Sequence, residues 1–204
     1  MKNQTFPAYG EPIIDNLLAD YAQGNHAART YLDVSLRQGW PLVIDHVALR
    51  CLDIERRAAV FLKQGYVFED EIVEYPDQGW WAKVYRKPGL PALFIDQAYD
   101  GARGKQSIIP AWVQRFGDEH LHHAAVLVAE IECAMAVMKE RGIVFSGDIV
   151  GSPGSRLRQI FTASEVREDA PYTVLELTER NHYSGFYPDQ ANRLMQSSTR
   201  KAPK

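Results

Sequence analysis

Residues 44–73 read IDHVALRCLDIERRAAVFLKQGYVFEDEIV, and residues 121–150 read LHHAAVLVAEIECAMAVMKERGIVFSGDIV. The two stretches align without a gap at a constant offset of 77 residues, and eleven aligned positions are identical. One of these positions pairs His46 with His123. A gapless match of this length predicts that the chain contains one structural unit twice.

Each copy has the pattern of a strand, a helix and three further strands. A short apolar run of strand type precedes a run with helical spacing. The helical run ends at Gly65 in the first copy and at Gly142 in the second, where a left-handed helix cap favours glycine. The last strand-type runs are WWAKVYRK and LPALFID in the first half, and RLRQIFTA and YTVLELTE in the second.

Two βαβββ modules with sheets that curl around a shared cleft are typical of the vicinal-oxygen-chelate (glyoxalase/dioxygenase-like) fold. We therefore predict an α+β protein of this fold. Before the first module, residues 13–38 have the apolar spacing of two amphipathic helices, interrupted at Gly24 and Asn25 and ended by Gly39 and Pro41. A further short helix is predicted over residues 190–197.

These patterns divide the chain into three predicted parts. They are a helical lead (1–41), a duplicated metal-binding domain (42–186, with modules at about 42–100 and 119–180), and a short helix with a frayed tail (187–204).

Composition excludes several classes of protein. The chain has 204 residues, of which 46% are hydrophobic, so disorder as the main state is excluded. The 23 basic and 26 acidic residues give a net charge of −3, which favours neither nucleic acid nor a membrane surface as a partner. The N-terminal residues are polar and no long apolar run follows, so we expect a cytoplasmic protein. The oligomeric state stays open, with a homodimer as one alternative.

The cysteines predict no disulfide framework. Only Cys51 and Cys133 occur, and they lie far apart in the sequence. Because Cys133 falls in an amphipathic helical run, we expect it to be a buried, inert thiol.

His46 and His123 are the strongest candidates for metal ligands. They occupy equivalent positions in the two copies, and each is followed two residues later by an alanine on the same face of its strand. Glu176 lies within an apolar strand-type run, where an unpaired carboxylate would be costly. Two histidines and one carboxylate on three strands would form a facial triad, which leaves positions on a metal ion open for substrate and oxygen.

Other residues compete for these roles. The period of two predicts that His122 points to the face opposite His123, and His120 is expected in the preceding loop. Glu179 and Asp96 are rivals of Glu176, although we expect Glu179 on the other face, in a surface ion pair with Arg180.

Two further side chains are candidates for catalytic roles in the cleft. Arg50 follows His46 by four residues on the same strand face, where a guanidinium could hold a substrate carboxylate; the alternative is an ion pair with Asp45 or Glu69. Gln159 is a candidate hydrogen-bond donor, with an ordinary strand glutamine as the alternative. One tryptophan of the pair at positions 80 and 81 is expected in the core and the other in the pocket, with the order left open.

Several strings resemble the 2-oxoadipate dioxygenase/decarboxylase family, a branch of the vicinal-oxygen-chelate superfamily. They are IDHVALRC, LHHAAVLV, LRQIFTASEV and YTVLELTERNHYSGFYPDQANRLMQSS, preceded by the lead LLADYAQGNHAARTYLDVSLRQG. The likeness covers about residues 13–198. The D-H-x-A-x-R string at residues 45–50 is fairly specific, whereas the E-L-x-E-R…G-F ending is similar also to 4-hydroxyphenylpyruvate dioxygenase.

This resemblance implies a function and a cofactor. By resemblance, His46, His123 and Glu176 are the ligands of Fe(II), and Arg50 holds a substrate carboxylate. Zn, Ni or Mn could replace iron in purified protein. The implied reaction converts a 2-oxo (di)acid such as 2-oxoadipate and O2 to a 2-hydroxy acid and CO2.

Two other functions fit the same fold. One is a glyoxalase-like lyase, isomerase or hydrolase that uses Zn, Ni or Mn to polarise a carbonyl, often with a fourth protein ligand. The other is a small-molecule binding protein without catalytic activity.

Overall fold

A computed structural model describes residues 5–198 of the chain. Its helices are Pro12–Gly24 (α1), His26–Gln38 (α2), Ile54–Leu62 (α3), Ile109–Phe116 (α4), Ile131–Glu140 (α5) and Pro188–Ser198 (α6). Its strands are Ile44–Cys51 (β1), Val67–Tyr75 (β2), Trp80–Arg86 (β3), Ala92–Ala98 (β4), Leu121–Leu127 (β5), Phe145–Val150 (β6), Leu157–Thr162 (β7), Val166–Arg167 (β8), Ala170–Pro171 (β9) and Val174–Arg180 (β10).

Eight of the strands form one sheet in the order β2-β3-β4-β1-β5-β10-β7-β6. Each half of the chain supplies four strands, and the halves join through the antiparallel pair β1 and β5. Within each half, the first strand pairs in parallel with the last, β1 with β4 and β5 with β10. The two copies in the sequence therefore become two equivalent halves of a single sheet.

Helices cover both faces of this sheet. The outer face carries α1, α2, α3 and α5, which bury a large apolar cluster against it. The inner face carries α4 and α6 over a second cluster. Helix α6 contacts both β2 and β6, the two opposite edges of the sheet, so the sheet curls around the inner face.

The two predicted N-terminal helices are confirmed, and local signals explain their bounds. The Asn25 side chain accepts a hydrogen bond from the Ala28 N–H and caps the start of α2. Gly39 ends α2 with a φ of 68°, in the left-handed region that favours glycine. The predicted C-terminal helix is also present, but the tail expected to fray lies outside the described residues, and the three-part division of the chain remains a prediction.

The sequence interpretation missed α4 and the short β8–β9 hairpin. A signal for α4 was available, because its buried side chains Ile109, Trp112, Val113 and Phe116 have helical spacing. Pro110 opens the helix and Gly117 closes it.

One expectation about packing was wrong. Cys133 is exposed rather than buried, because it lies on the solvent side of α5, whose packed side consists of Ile131, Ala134 and Met138. Among residues 5–198, no helix is long and apolar enough to cross a membrane.

Candidate metal centre

Three neighbouring strands bring His46, His123 and Glu176 together on the inner face. In the sheet register, Ala125 of β5 lies opposite both His46 of β1 and Glu176 of β10. Because alanine is small, the larger side chains on either side of it can converge over it. The structure therefore brings the three predicted side chains together on one face of the sheet, and all three are buried.

The three potential ligand atoms form a nearly equilateral triangle. The His46 Nε2 atom lies 3.3 Å from the Glu176 Oε2 atom, and the His123 Nε2 atom lies 3.5 Å from it. The two Nε2 atoms are 3.4 Å apart. Two atoms that bind one ion at about 2.1 Å cannot be more than about 4.2 Å apart, so this spacing suits a single divalent ion.

The hydrogen bonding of the donor set also fits a metal ion. The Asp45 carboxylate is 2.7 Å from His46 Nδ1 and can only accept, so Nδ1 of His46 carries a proton and Nε2 is the nitrogen that faces Glu176 Oε2. Because the pKa of His46 is raised to about 9, a second proton lies on Nε2 at neutral pH and faces the Glu176 carboxylate. That second proton would be replaced by a bound metal ion. His46, His123 and Glu176 would hold it, and nitrogen and oxygen ligands of this kind suit Fe, Zn, Ni or Mn.

Two side chains fix the orientation of Glu176. Gln159 Nε2 donates to Glu176 Oε1 at 2.6 Å, and Thr178 Oγ1 donates to the same atom at 2.7 Å. Oε2 is left to face the histidines. Burial raises the pKa of Glu176, but His46, His123 and the Thr178 hydrogen bond outweigh it, and the net shift is downward. Gln159 thus donates a hydrogen bond at the candidate centre, and its catalytic role stays a prediction.

Asp45 links the centre to the C-terminal segment. Its carboxylate accepts from His46 Nδ1 and, at 2.5 and 2.9 Å, from Arg180 Nε and Nη2. Burial lowers the pKa of His46, but Glu176 and Asp45 outweigh this and raise it to about 9. Asp45 is therefore unavailable to Arg50, which excludes one of the ion pairs considered for that arginine.

The expected orientation of His122 was wrong. A β-bulge lies at this position, because consecutive residues of β1, Ala48 and Leu49, lie opposite His123 and Leu121 of β5. The bulge places the His122 ring beside that of His123, with their Nδ1 atoms 3.0 Å apart. Burial, together with the charges of Arg50 and His123, lowers the pKa of His122 well below its ordinary value. Burial also lowers the pKa of His123, to about 3, although Glu176 opposes it.

Arg50 lines a different cavity from the one that contains the ligand atoms. This larger cavity, here called the arginine cavity, has a volume of about 710 Å³, and Trp112, Tyr172 and His122 also line it. The Arg50 guanidinium lies 5.5 Å from the centre of the Trp112 ring and is buried, and its Nε has no hydrogen-bond partner among the described residues. Burial lowers the pKa of Arg50 to about 10, while Asp96 opposes this shift.

The rival ligands lie elsewhere or point elsewhere. Glu179 is on the outer face as expected, but it accepts from Arg158 rather than from Arg180, because Arg180 is held by Asp45. His120 is only partly buried and lies against Tyr172. Asp96 is buried near the centre but is not part of the ligand triangle.

The ligand atoms lie in a small cavity of about 20 Å³, here called the metal cavity. The Phe186 ring packs edge-on against His46, with a distance of 5.2 Å between ring centres. Leu194 and Met195 of α6 line the same cavity. The sequence analysis did not identify Phe186 as a site residue, because it follows the last strand and only the fold places it beside His46.

The two neighbouring tryptophans lie on opposite faces of the sheet. Trp80 packs on Tyr75 in the inner cluster, and Trp81 packs against the outer cluster.

Comparison with solved structures supports the architecture. The hydroxyglutarate synthase of Oryza sativa, solved in complex with 2-oxoadipate, superposes with a TM-score of 0.79 at 17% identity, covering 98% of this chain and 96% of that one. A glyoxalase-superfamily protein of Ralstonia eutropha gives 0.72 at 15% identity, with 90% and 87% covered. A 4-hydroxymandelate synthase variant of Streptomyces coelicolor gives 0.63 at 17%, with 78% and 54% covered.

Neither the family models nor the curated proteins compared with this sequence match it. The likeness to solved structures at these identities establishes the fold. The predicted α+β class and the vicinal-oxygen-chelate fold are confirmed.

Proposed function

We propose that the chain is a non-haem Fe(II) dioxygenase that acts on a 2-oxo acid. The observation that carries this proposal is the buried triangle of His46, His123 and Glu176, which offers three ligand atoms on one side of an ion. Such a triad is typical of iron enzymes that bind both an organic substrate and O2. The fold shared with a synthase solved in complex with 2-oxoadipate supports a 2-oxo (di)acid as the substrate class.

The proposed reaction balances with the 2-oxo acid and O2 alone and needs no second organic substrate. One atom of O2 enters the new carboxylate as CO2 leaves, and the other atom hydroxylates the adjacent carbon to give the 2-hydroxy acid. A bound iron would supply the site where the 2-oxo acid and O2 meet and would pass electrons from the 2-oxo acid, which is the net reductant, to O2.

The residues of the chain would bind the substrate and keep water out. Phe186, Leu194 and Met195 form an apolar cover over the centre. Because a cavity of about 20 Å³ cannot hold a 2-oxo acid, substrate binding requires this cover to move. Arg50 is the buried cation closest along β1 to His46, and it would hold a substrate carboxylate in a bidentate pair.

The test is oxygen uptake by protein loaded anaerobically with Fe(II). Wild-type protein should consume O2 and release CO2 in equal amounts with at least one member of a panel of 2-oxo acids. Arg50→Lys should raise KM for that acid with a smaller effect on kcat, since a point charge does not reproduce the guanidinium fork. The absence of uptake with every acid would reject the dioxygenase.

The same protein loaded with Zn, Ni or Mn tests the alternative reaction. Exchange of substrate α-hydrogens with solvent in this form, without O2 uptake in the iron form, would favour a glyoxalase-like isomerase or lyase. Tight binding of a small molecule by metal-free protein would instead favour a binding protein.

Ligand variants test the centre itself. His46→Ala and His123→Ala should each abolish stoichiometric metal binding, whereas His122→Ala should still bind one equivalent at saturating metal. Equilibrium dialysis of each variant against saturating metal, followed by elemental analysis, measures this. Retention of one equivalent by His123→Ala, with loss in His122→Ala, would move the second ligand to His122.

A further inference from the structure

Each ligand histidine directly follows a bulged residue. In the pairing of β1 with β5, Ile44 and His46 lie opposite neighbouring residues of β5, so Asp45 is the extra residue on β1. On β5 the extra residue is His122. The two bulges are related by the same offset of 77 residues that relates the two halves of the chain.

The bulges change what these two side chains can reach. In a regular strand, the residue before an inner-face histidine would point to the outer face. Here the Asp45 carboxylate lies 2.7 Å from Nδ1 of His46, and Nδ1 of His122 lies 3.0 Å from Nδ1 of His123. In both halves, the bulged residue therefore contacts the nitrogen of its neighbour that faces away from the ligand triangle.

We propose that Asp45 and His122 are matched positioning residues, each of which holds the proton of the following histidine on Nδ1 and so directs the Nε2 lone pair at a metal ion. This inference rests on the metal centre of the proposed function but not on its reaction. A hydrogen bond to the far nitrogen fixes the tautomer and the ring orientation of a metal-binding histidine.

The two halves differ in the chemistry of the acceptor. Asp45 is an anion anchored by Arg180, so it makes His46 a stronger electron donor than a neutral acceptor would. His122 accepts through a neutral ring nitrogen, and its own proton must then lie on Nε2. Since His122 also lines the arginine cavity, that N–H is the polar group it can offer to a molecule bound beside Arg50.

Affinity for Co2+, measured by competition with a chelator, tests the positioning role. Asp45→Asn keeps the shape but loses the charge, and His122→Ala removes the acceptor; each should weaken Co2+ binding about 10- to 100-fold. His120→Ala is the matched control, because that histidine lies two residues away and outside the ligand triangle, and it should bind Co2+ as wild type does.

The equivalence of the two halves supplies a rescue. His122→Asp places at the second bulge the residue that the first bulge already has, so it should bind Co2+ at least as tightly as wild type. A merely structural role for His122 predicts that His122→Asp is no better than His122→Ala. That result, or wild-type affinity in both variants, would overturn the proposal.

Nitrogen-15 NMR of the wild-type Zn2+ form gives a readout that does not depend on any variant folding. His46 and His123 should carry protons on Nδ1, and His122 on Nε2. A proton on Nε2 of His123 would contradict the proposal. Wild-type protein that binds neither ion would contradict the proposed function, whereas normal metal binding with unchanged variants would contradict this inference alone.

Discussion

The two candidate ligand histidines, His46 and His123, lie in opposite electrostatic surroundings. His46 lies between the carboxylates of Asp45 and Glu176, and its pKa is raised to about 9 despite burial. His123 is buried beside His122, and its pKa is lowered to about 3. Without metal at neutral pH, His46 therefore carries a proton that His123 lacks.

This difference predicts proton release on metal binding. A histidine must be neutral at the binding nitrogen, so Zn2+ must displace the proton of His46. Because the pKa of His46 is about 9, binding at pH 7 should release about one proton. Affinity should rise about tenfold per pH unit between pH 7 and 9. Calorimetry in buffers of different ionisation enthalpy measures this release, and a value near zero at pH 7 would contradict the prediction.

Asp96 predicts a pH dependence of stability. Burial raises its pKa to about 7, although Arg50 and His46 oppose the shift. The unfolded chain loses this proton near pH 4 and the folded protein near pH 7, so the contribution of Asp96 to stability falls as pH rises between these values. The effect on the free energy of unfolding is at most about 4 kcal/mol. His123, whose pKa is lowered to about 3, contributes in the opposite direction.

The difference in the free energy of unfolding between wild type and Asp96→Asn should therefore change with pH, measured by urea unfolding of metal-free protein from pH 4 to 8. Asp148→Asn is the control, because Asp148 is exposed on β6 and should leave the pH profile unchanged. Identical profiles for Asp96→Asn and wild type would show that Asp96 ionises normally.

At the scale of elements, the turn after β6 depends on one glycine. A Cβ atom built on Gly151 would lie 2.3 Å from the backbone oxygen of Leu157, where β7 begins, and its φ is 103°. Gly154 in the same loop has a φ of 76° but no atom within 4 Å of such a Cβ. Both glycines thus have a backbone conformation that an L-residue rarely adopts, but only at Gly151 would an added Cβ also clash with another backbone segment.

Alanine at these positions should separate the two effects. Gly154→Ala should lower the free energy of unfolding by about 1–2 kcal/mol, the cost of a left-handed backbone for an L-residue. Gly151→Ala should cost clearly more, because the backbone of β7 must also move. Urea unfolding of both variants measures the difference, and equal losses would mean that the loop absorbs the contact.

Helices and strands whose sequences are periodic or duplicated could be predicted, whereas features that arise from the pairing of two strands could not. The gapless repeat and the apolar spacing predict β1, α3, β5 and α5, and the equivalent positions of His46 and His123 predict two ligands. The bulge at His122 arises from the register of β5 against β1, so the period of two gave its side chain the wrong face. Helix α4 could also have been predicted, because its buried apolar residues recur at helical spacing.

At the scale of the whole molecule, the candidate centre joins the two halves of the sheet. β1 supplies His46 from the first half, and β5 and β10 supply His123 and Glu176 from the second. These three buried polar side chains therefore meet where the two halves of the sheet join. A metal ion there would bind only when both halves are folded and paired.

Metal should therefore stabilise the entire chain in a single transition. Zn2+ at one hundred times its Kd should add about 2.7 kcal/mol to the free energy of unfolding. For a chain of this size, that corresponds to a Tm increase of about 5–10 °C in calorimetry. His46→Ala should show no increase. Two separate transitions, of which only one responds to Zn2+, would show that the halves fold independently.

The cover of Phe186 and α6 over the centre has a consequence for metal selection in the cell. An ion that leaves on this side would have to pass these side chains, so its residence time would depend on their movement as well as on the strength of its bonds. Ions of similar size would then exchange slowly once enclosed. Which metal the protein carries would reflect the supply present when the chain folds more than the order of equilibrium affinities.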